Sequence, residues 1–179
     1  VALRPSAINP LALIILMILA PPASADWRSS LPAAQLSGSG DFTWFGLRLY
    51  TARLWRAGAV WTWNEPFALE LTYHRALSRN TLVQASIEEM QRLAKPPLAS
   101  DTVERWAATL TEAFVDVRPG TRITGLYLPG YGCRFYVDGQ LSQEVTDPVL
   151  ARAFFAIWLD PRSRDAQLRE RLLGVAANE

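Results

Sequence analysis

The residues able to do acid–base or covalent chemistry are few and poorly grouped. The chain has one histidine, His74, and one cysteine, Cys133. Without a second such residue at ligand spacing, no metal site of the usual kind is legible. A Ser-His-Asp triad would have to use His74, but no Gly-x-Ser-x-Gly elbow accompanies it, and His74 reads as a partly exposed strand residue. Cys133, on a strand among aromatics, reads as a small buried hydrophobe. Glu88 and Glu89 are adjacent on a helix, where neighbours do not face each other, so both read as solvated surface charges. Gly38-Ser39-Gly40-Asp41 lacks the Lys-Ser/Thr of a phosphate loop. What remains is a pattern: Leu47, Leu49, Thr51 and Arg53 alternate on one face of a strand. That face sets a hydroxyl and a cation beside aliphatic surface, and such an arginine either reaches water or meets an anion.

The elements that must carry these residues are read from periodicity and punctuation. Phe42 to Trp55 reads as a central strand, bent at Gly46 and covered on both faces, after an irregular lead-in from Asp26 to Gly40. Val60 to Trp63 is a short companion, and Phe67 to His74 alternates cleanly. Ser78 caps a helix that runs to about Lys95 and stops at Pro96-Pro97. Ser100 or Asp101 caps the next, with Val103, Trp106, Ala107, Leu110, Ala113 and Phe114 as its buried stripe. Pro119-Gly120 opens a strand over Thr121 to Leu128, Leu-Pro-Gly-Tyr-Gly reverses the chain, and Cys133 to Asp138 returns. Asp147-Pro148 starts a helix whose stripe is Val149, Leu150, Ala153, Phe154, Ile157 and Trp158. A last amphipathic helix begins near Ser163 and ends at Gly174. With no repeats and no linker, this predicts one α+β domain over residues 36–174, a curved antiparallel sheet with helices packed on it.

Residues 1–25 carry Arg4, an apolar run from Leu11 to Ala20, and Ala23-Ser24-Ala25. They predict a cleavable Sec-type signal peptide cut after Ala25, and hence a periplasmic or secreted protein. Without Arg4 the basic and acidic side chains balance, which argues against a nucleic-acid partner. No further segment is long and apolar enough to predict an integral membrane span, and no cofactor motif is present. A lone cysteine in an exported chain cannot close an internal disulfide.

Four short motifs occur in a familiar order: Pro119-Gly120-Thr121-Arg122-Ile123, Pro129-Gly130-Tyr131-Gly132, Phe135-Tyr136-Val137-Asp138-Gly139, and Asp147 through Leu159. Upstream stand Tyr73-His74-Arg75-Ala76-Leu77-Ser78 and Thr81-Leu82-Val83-Gln84-Ala85-Ser86-Ile87. Together these resemble the chalcone isomerase-like superfamily, and the Phe154 to Leu159 run is most similar to its bacterial exported branch. The resemblance covers roughly Leu36 to Leu173 and implies an open-faced β-sandwich.

It also implies a cleft chemistry. Chalcone isomerases close a ring by attack of a phenolate on an unsaturated ketone, using an arginine, a threonine, a tyrosine, an asparagine and a small hydroxyl residue. Carried onto this chain, the threonine falls on Thr51. The other four positions fall on Ser39, Ala99, Trp106 and Ala156, whose side chains do not match. Thr51 is therefore the only family-matched catalytic candidate. Other members of the superfamily resemble fatty-acid carriers, which need an apolar tunnel with a basic residue and a hydroxyl at its mouth. For that role the expected ligand-binding residues are Thr51 and Arg53, completed by Tyr73 or Arg75, with Trp106, Trp55 and Trp61 lining the cavity or packing the core. The expectation is a non-catalytic protein that binds an apolar, fatty-acid-like molecule. An isomerase or intramolecular lyase with altered residues, and an exported interaction module with no ligand, stay open beside it.

Overall fold

The computed structural model describes residues 26–174, so the expected signal segment lies outside the described residues. Within them the chain forms one six-stranded antiparallel sheet in simple meander order. The strands are β1 (Gln35–Trp44), β2 (Leu47–Arg56), β3 (Phe67–Tyr73), β4 (Arg122–Leu128), β5 (Gly132–Val137) and β6 (Gln140–Val145). Helices α1 (Arg79–Leu93) and α2 (Ser100–Ala113) connect β3 to β4, while α3 (Pro148–Leu159) and α4 (Ala166–Leu173) follow β6.

Strand alternation gives the sheet two different faces. Ala52 and Leu54 of β2, Leu69 and Leu71 of β3, Ile123 of β4 and Phe135 of β5 turn inward and join Met90, Leu110, Phe154, Phe155 and Leu168 from the helices in the main core. The opposite face carries a smaller cluster of Ala68, Leu126, Tyr136 and Trp55, covered by Trp27 and Leu31 from the short 3-10 turn at Trp27–Ser29. The sheet is thus sandwiched fully on one side and only partly on the other.

Several elements differ from expectation. Phe42 to Trp55 is not one bent strand but the end of β1, a turn, and β2. Trp44 pairs with Leu47, so Phe45 and Gly46 alone make the turn, with φ of 47° and 74°. Two consecutive positive φ angles belong to a tight hairpin whose twist matches its strands. Accordingly β1 begins at Gln35 inside the supposed lead-in, and β2 is the second strand rather than a central one. Val60 to Trp63 is loop, and Trp61 and Trp63 pack edge to face instead of pairing as a strand. The additional strand β6 follows a second two-residue turn at Asp138-Gly139, with φ of 49° and 86°.

The helix boundaries follow local chemistry more closely. The Ser78 side chain accepts the Thr81 N–H and opens α1. The N-cap of α2 is Ala99, one residue ahead of Ser100 and two ahead of Asp101, and Asp165 rather than Ser163 caps α4 by accepting the Leu168 N–H at 2.9 Å. Gly174, at φ 73°, closes α4 in the left-handed conformation that glycine adopts without a Cβ penalty.

Asp147 does two jobs at the start of α3. One carboxylate oxygen accepts the Val149 and Leu150 amides at 3.0 and 2.9 Å, and the other accepts the buried Trp106 indole N–H at 3.0 Å. It therefore ties α2 to the first turn of α3. Asp147→Ala should lower the unfolding free energy by about 2–4 kcal/mol, the sum of a lost cap and a stranded buried donor. Asp147→Asn, whose single carbonyl oxygen can keep the cap but whose amide nitrogen cannot accept the Trp106 N–H, should lose roughly half as much. Equilibrium denaturation in urea checks both.

Candidate ligand cavity

Helix α3 seats its middle directly on the sheet, but the sheet's β1–β2 end is left uncovered by it. Between that end, α1 and the last turns of α3 lies a cavity of about 620 Å³. Its floor is Phe42, Tyr50, Leu71, Tyr73 and Ile123 from four strands, and its walls include Leu82 and Ala85 of α1 and Phe154, Ile157 and Trp158 of α3. Leu168 of α4 and Phe114, just beyond α2, complete the apolar lining. These are inner-face positions of strands and stripe positions of helices, so the cavity is a part of the core left unfilled.

Two phenols supply polarity to the floor. The Tyr50 and Tyr73 rings meet at 5.8 Å, edge to face, and pair across β2 and β3. Tyr50 accepts the Trp158 indole N–H at 3.0 Å, which leaves its own proton to donate. Tyr73 is 5% exposed, and its hydroxyl makes no hydrogen bond to another described residue. Burial pushes both phenols above their ordinary value. Both remain protonated at any physiological pH, as neutral donors and not as phenolate bases.

Charged groups are held at the rim. Glu89 accepts from Arg164 Nε at 2.8 Å and from Arg92 Nε at 2.9 Å. Burial works to raise the Glu89 carboxyl, but the hydrogen bonds from Arg164 and Arg92 outweigh it and hold the group below its ordinary value. Glu89 is therefore not the free surface charge expected of it. It fixes α1 to the segment between α3 and α4, while Glu88 and Asp165 also reach the rim.

The residues singled out from sequence are divided by the sheet. Tyr73 lines the cavity. Thr51 and Arg53 do not: they lie on the opposite face from Tyr50, Ala52 and Leu54, so the expectation that the Thr51 face floors the cavity is reversed. Thr51 stands between Asp41 Oδ1 at 2.6 Å and His74 Nε2 at 2.7 Å. Thr51, with Arg48 beside it, holds the Asp41 carboxyl below its ordinary value. Arg53 lies 3.5 Å from Glu70, which is 4% exposed, and 3.4 Å from Thr72. Arg75 is exposed in the turn before α1. Trp106 is core and holds Asp147. Trp55 packs with the small outer cluster, and Trp61 packs on Phe67. Tyr50, Phe42 and Trp158 were missed as site residues. The stripe position of Trp158 and the pairing of the two tyrosines were the available signals.

Among the described residues no cluster of His, Cys, Asp and Glu could hold a metal ion. No curated protein matches the sequence. Among solved structures, a fatty-acid binding protein of Arabidopsis thaliana superposes with a TM-score of 0.60 at 12% identity, covering 79% of this chain and 87% of its own. At that identity the likeness establishes the fold. Residues 35–174 match the chalcone isomerase-like family, and with most of the chain inside that match, the protein belongs to the chalcone isomerase-like family.

Proposed function

We propose that the protein binds an apolar, fatty-acid-like molecule in the cavity between the sheet and helices α1 and α3, and carries out no reaction on it. The observation that carries this reading is an apolar cavity lined by the Tyr73 side chain, whose hydroxyl takes no hydrogen-bond partner among the described residues. A volume of about 620 Å³ falls inside the ~300–1,000 Å³ of small-molecule sites. Tyr50 and Tyr73 offer neutral donors to a carboxyl or carbonyl head, and the apolar lining accepts the chain. The fold neighbour that is a fatty-acid binding protein adds support for the ligand class.

The same residues argue against the family's ring closure. Ser39, Ala99, Trp106 and Ala156 stand where the resemblance calls for catalytic side chains, and Thr51 faces away from the cavity. The cavity's phenols are held protonated, and Glu89, bound by two arginines, is a poor base. Export after removal of residues 1–25 is part of the proposal and is supported by Ala23-Ser24-Ala25 behind a short apolar run.

Three measurements check this reading. A long-chain fatty acid, titrated into the purified protein, binds. Tyr73→Phe weakens it by several-fold, as loss of one neutral hydrogen bond of about 0.5–1.5 kcal/mol requires, while Arg53→Met leaves affinity unchanged. Absence of binding by the wild-type protein overturns the reading. Chalcone absorbance decays at the spontaneous rate in the protein's presence, since each missing oxyanion donor costs on the order of 10²–10³ in rate. In a secretion-competent host, the intact mass corresponds to a chain beginning at Asp26, and retention of residues 1–25 would show an anchor instead.

A further inference from the structure

The turn between β1 and β2 is the least economical feature of the surface. Phe45 is 90% exposed, flanked by Trp44 at 46% and Leu47 at 48%. It also holds φ 47°, a conformation suited to Asn or Gly and strained for a bulky side chain. An aromatic at this position therefore costs backbone strain and solvent exposure together. Strain of this kind persists where the residue has a use outside the fold.

The tip is connected to the cavity by a run of rings. Phe45 meets Trp44 at 5.2 Å, Trp44 stacks near Phe42 at 6.5 Å, Phe42 stacks on Tyr50 at 5.0 Å, and Tyr50 meets Tyr73 at 5.8 Å. Phe42, Trp44, Tyr50 and Tyr73 all line the cavity. An apolar surface thus continues from bulk solvent at Phe45 to the buried Tyr73. Behind the tip stand two exposed arginines. Arg48 is 3.3 Å from Asp41, and Arg75 follows His74, whose backbone N–H bonds the Leu49 carbonyl. Phenylalanine and tryptophan at the apex, with arginines one layer back, is the chemical order of a bilayer surface, where acyl chains give way to headgroups. Among the described residues no helix is long and apolar enough to cross a membrane.

We propose, building on an apolar ligand in the cavity, that the Trp44-Phe45-Gly46-Leu47 tip inserts into the outer layer of a lipid bilayer and passes the ligand between membrane and cavity along the aromatic run. Phe45 and Trp44 sit among acyl chains, Arg48 and Arg75 lie at headgroup level, and the ligand moves without crossing water.

The test uses the full chain with a polarity-sensitive label on Phe45→Cys or, as a control, on Tyr131→Cys. Tyr131 is 44% exposed in the β4–β5 hairpin, at the other end of the sheet. Cys133 is fully buried and its thiol is pushed up by burial, so labelling goes to the introduced cysteine. With phosphatidylcholine vesicles the label at 45 should shift to the blue and be quenched by brominated lipid, more so when phosphatidylglycerol is added, while the label at 131 does neither. A response at both sites, or at neither, overturns the proposal, because a tether elsewhere in the chain would not select the tip. The unlabelled Phe45→Asn protein, whose new residue suits the turn, should fold as well as wild type. It should keep its equilibrium affinity for a fluorescent fatty acid yet deliver it to acceptor vesicles about tenfold more slowly, the scale of removing one buried aromatic from the contact. Equal delivery rates also overturn it. If wild type takes up no fatty acid, the ligand reading fails alone, and the labels still decide whether the tip enters the bilayer.

Discussion

The seat of α3 on the sheet rests on a missing side chain. A Cβ at Gly125, mid-strand on β4, would lie 2.7 Å from the Phe155 ring, so only glycine lets that ring reach the strand backbone. Phe155 is fully buried and meets Phe67 and Tyr127 edge to face at 5.2 and 5.5 Å. On the next stripe, Phe154 meets Phe114 and Phe135 at 5.9 and 5.1 Å. This aromatic seam pins the middle of α3 close to β4. The helix then runs out past the edge of the seam, where Trp158 reaches the sheet through the Tyr50 hydroxyl at 3.0 Å and, with Ile157, walls the cavity.

The outer face works by a different chemistry. Thr51 donates to Asp41, which leaves its lone pairs to accept from the imidazole of His74. One hydroxyl thereby joins β1, β2 and the end of β3. Two residues along, Arg53 reaches Glu70 across the β2–β3 pair. Glu70 is almost fully buried, and an unpaired carboxylate there would carry a desolvation penalty of several kcal/mol. Polar groups on this face therefore bind strand to strand, while the inner face is left to apolar packing and the cavity.

This division explains what the sequence could and could not convey. Caps and stops are local chemistry, and Ser78, Asp147-Pro148 and Gly174 were legible because their effect is spent within one turn. Alternation is also local, but it says only that Thr51 and Arg53 share a face, not which face is core. A shift of one residue exchanges the two faces, and only the packing of distant helices decides between them. The Phe45-Gly46 turn was hidden because an aromatic occupies the position where Asn or Gly signals a hairpin. Strand β6 was hidden because Gln140, Ser142, Gln143 and Glu144 make it a polar edge, held by pairing to β5 rather than by burial. Glu89 was misjudged because its partner Arg164 lies far along the chain.

The placement of charge also bears on how tightly a ligand can be held. An arginine inside an apolar cavity would have to be stripped of water whenever the cavity stood empty, and that cost would be recovered only with an anion present. Here the cations stay at the rim, with Arg164 and Arg92 already satisfied by Glu89. The floor carries phenols, whose desolvation is cheaper and whose hydrogen bonds are each worth about 0.5–1.5 kcal/mol net. In the proposed complex most of the affinity must then come from the buried chain, at roughly 0.8 kcal/mol per methylene, and little from the head. Such a site grades ligands by chain length more than by head charge. A bilayer offers the same methylenes the same burial, so the free energies on the two sides are close to balanced. A cavity of this composition is suited to exchange with a membrane rather than to permanent capture.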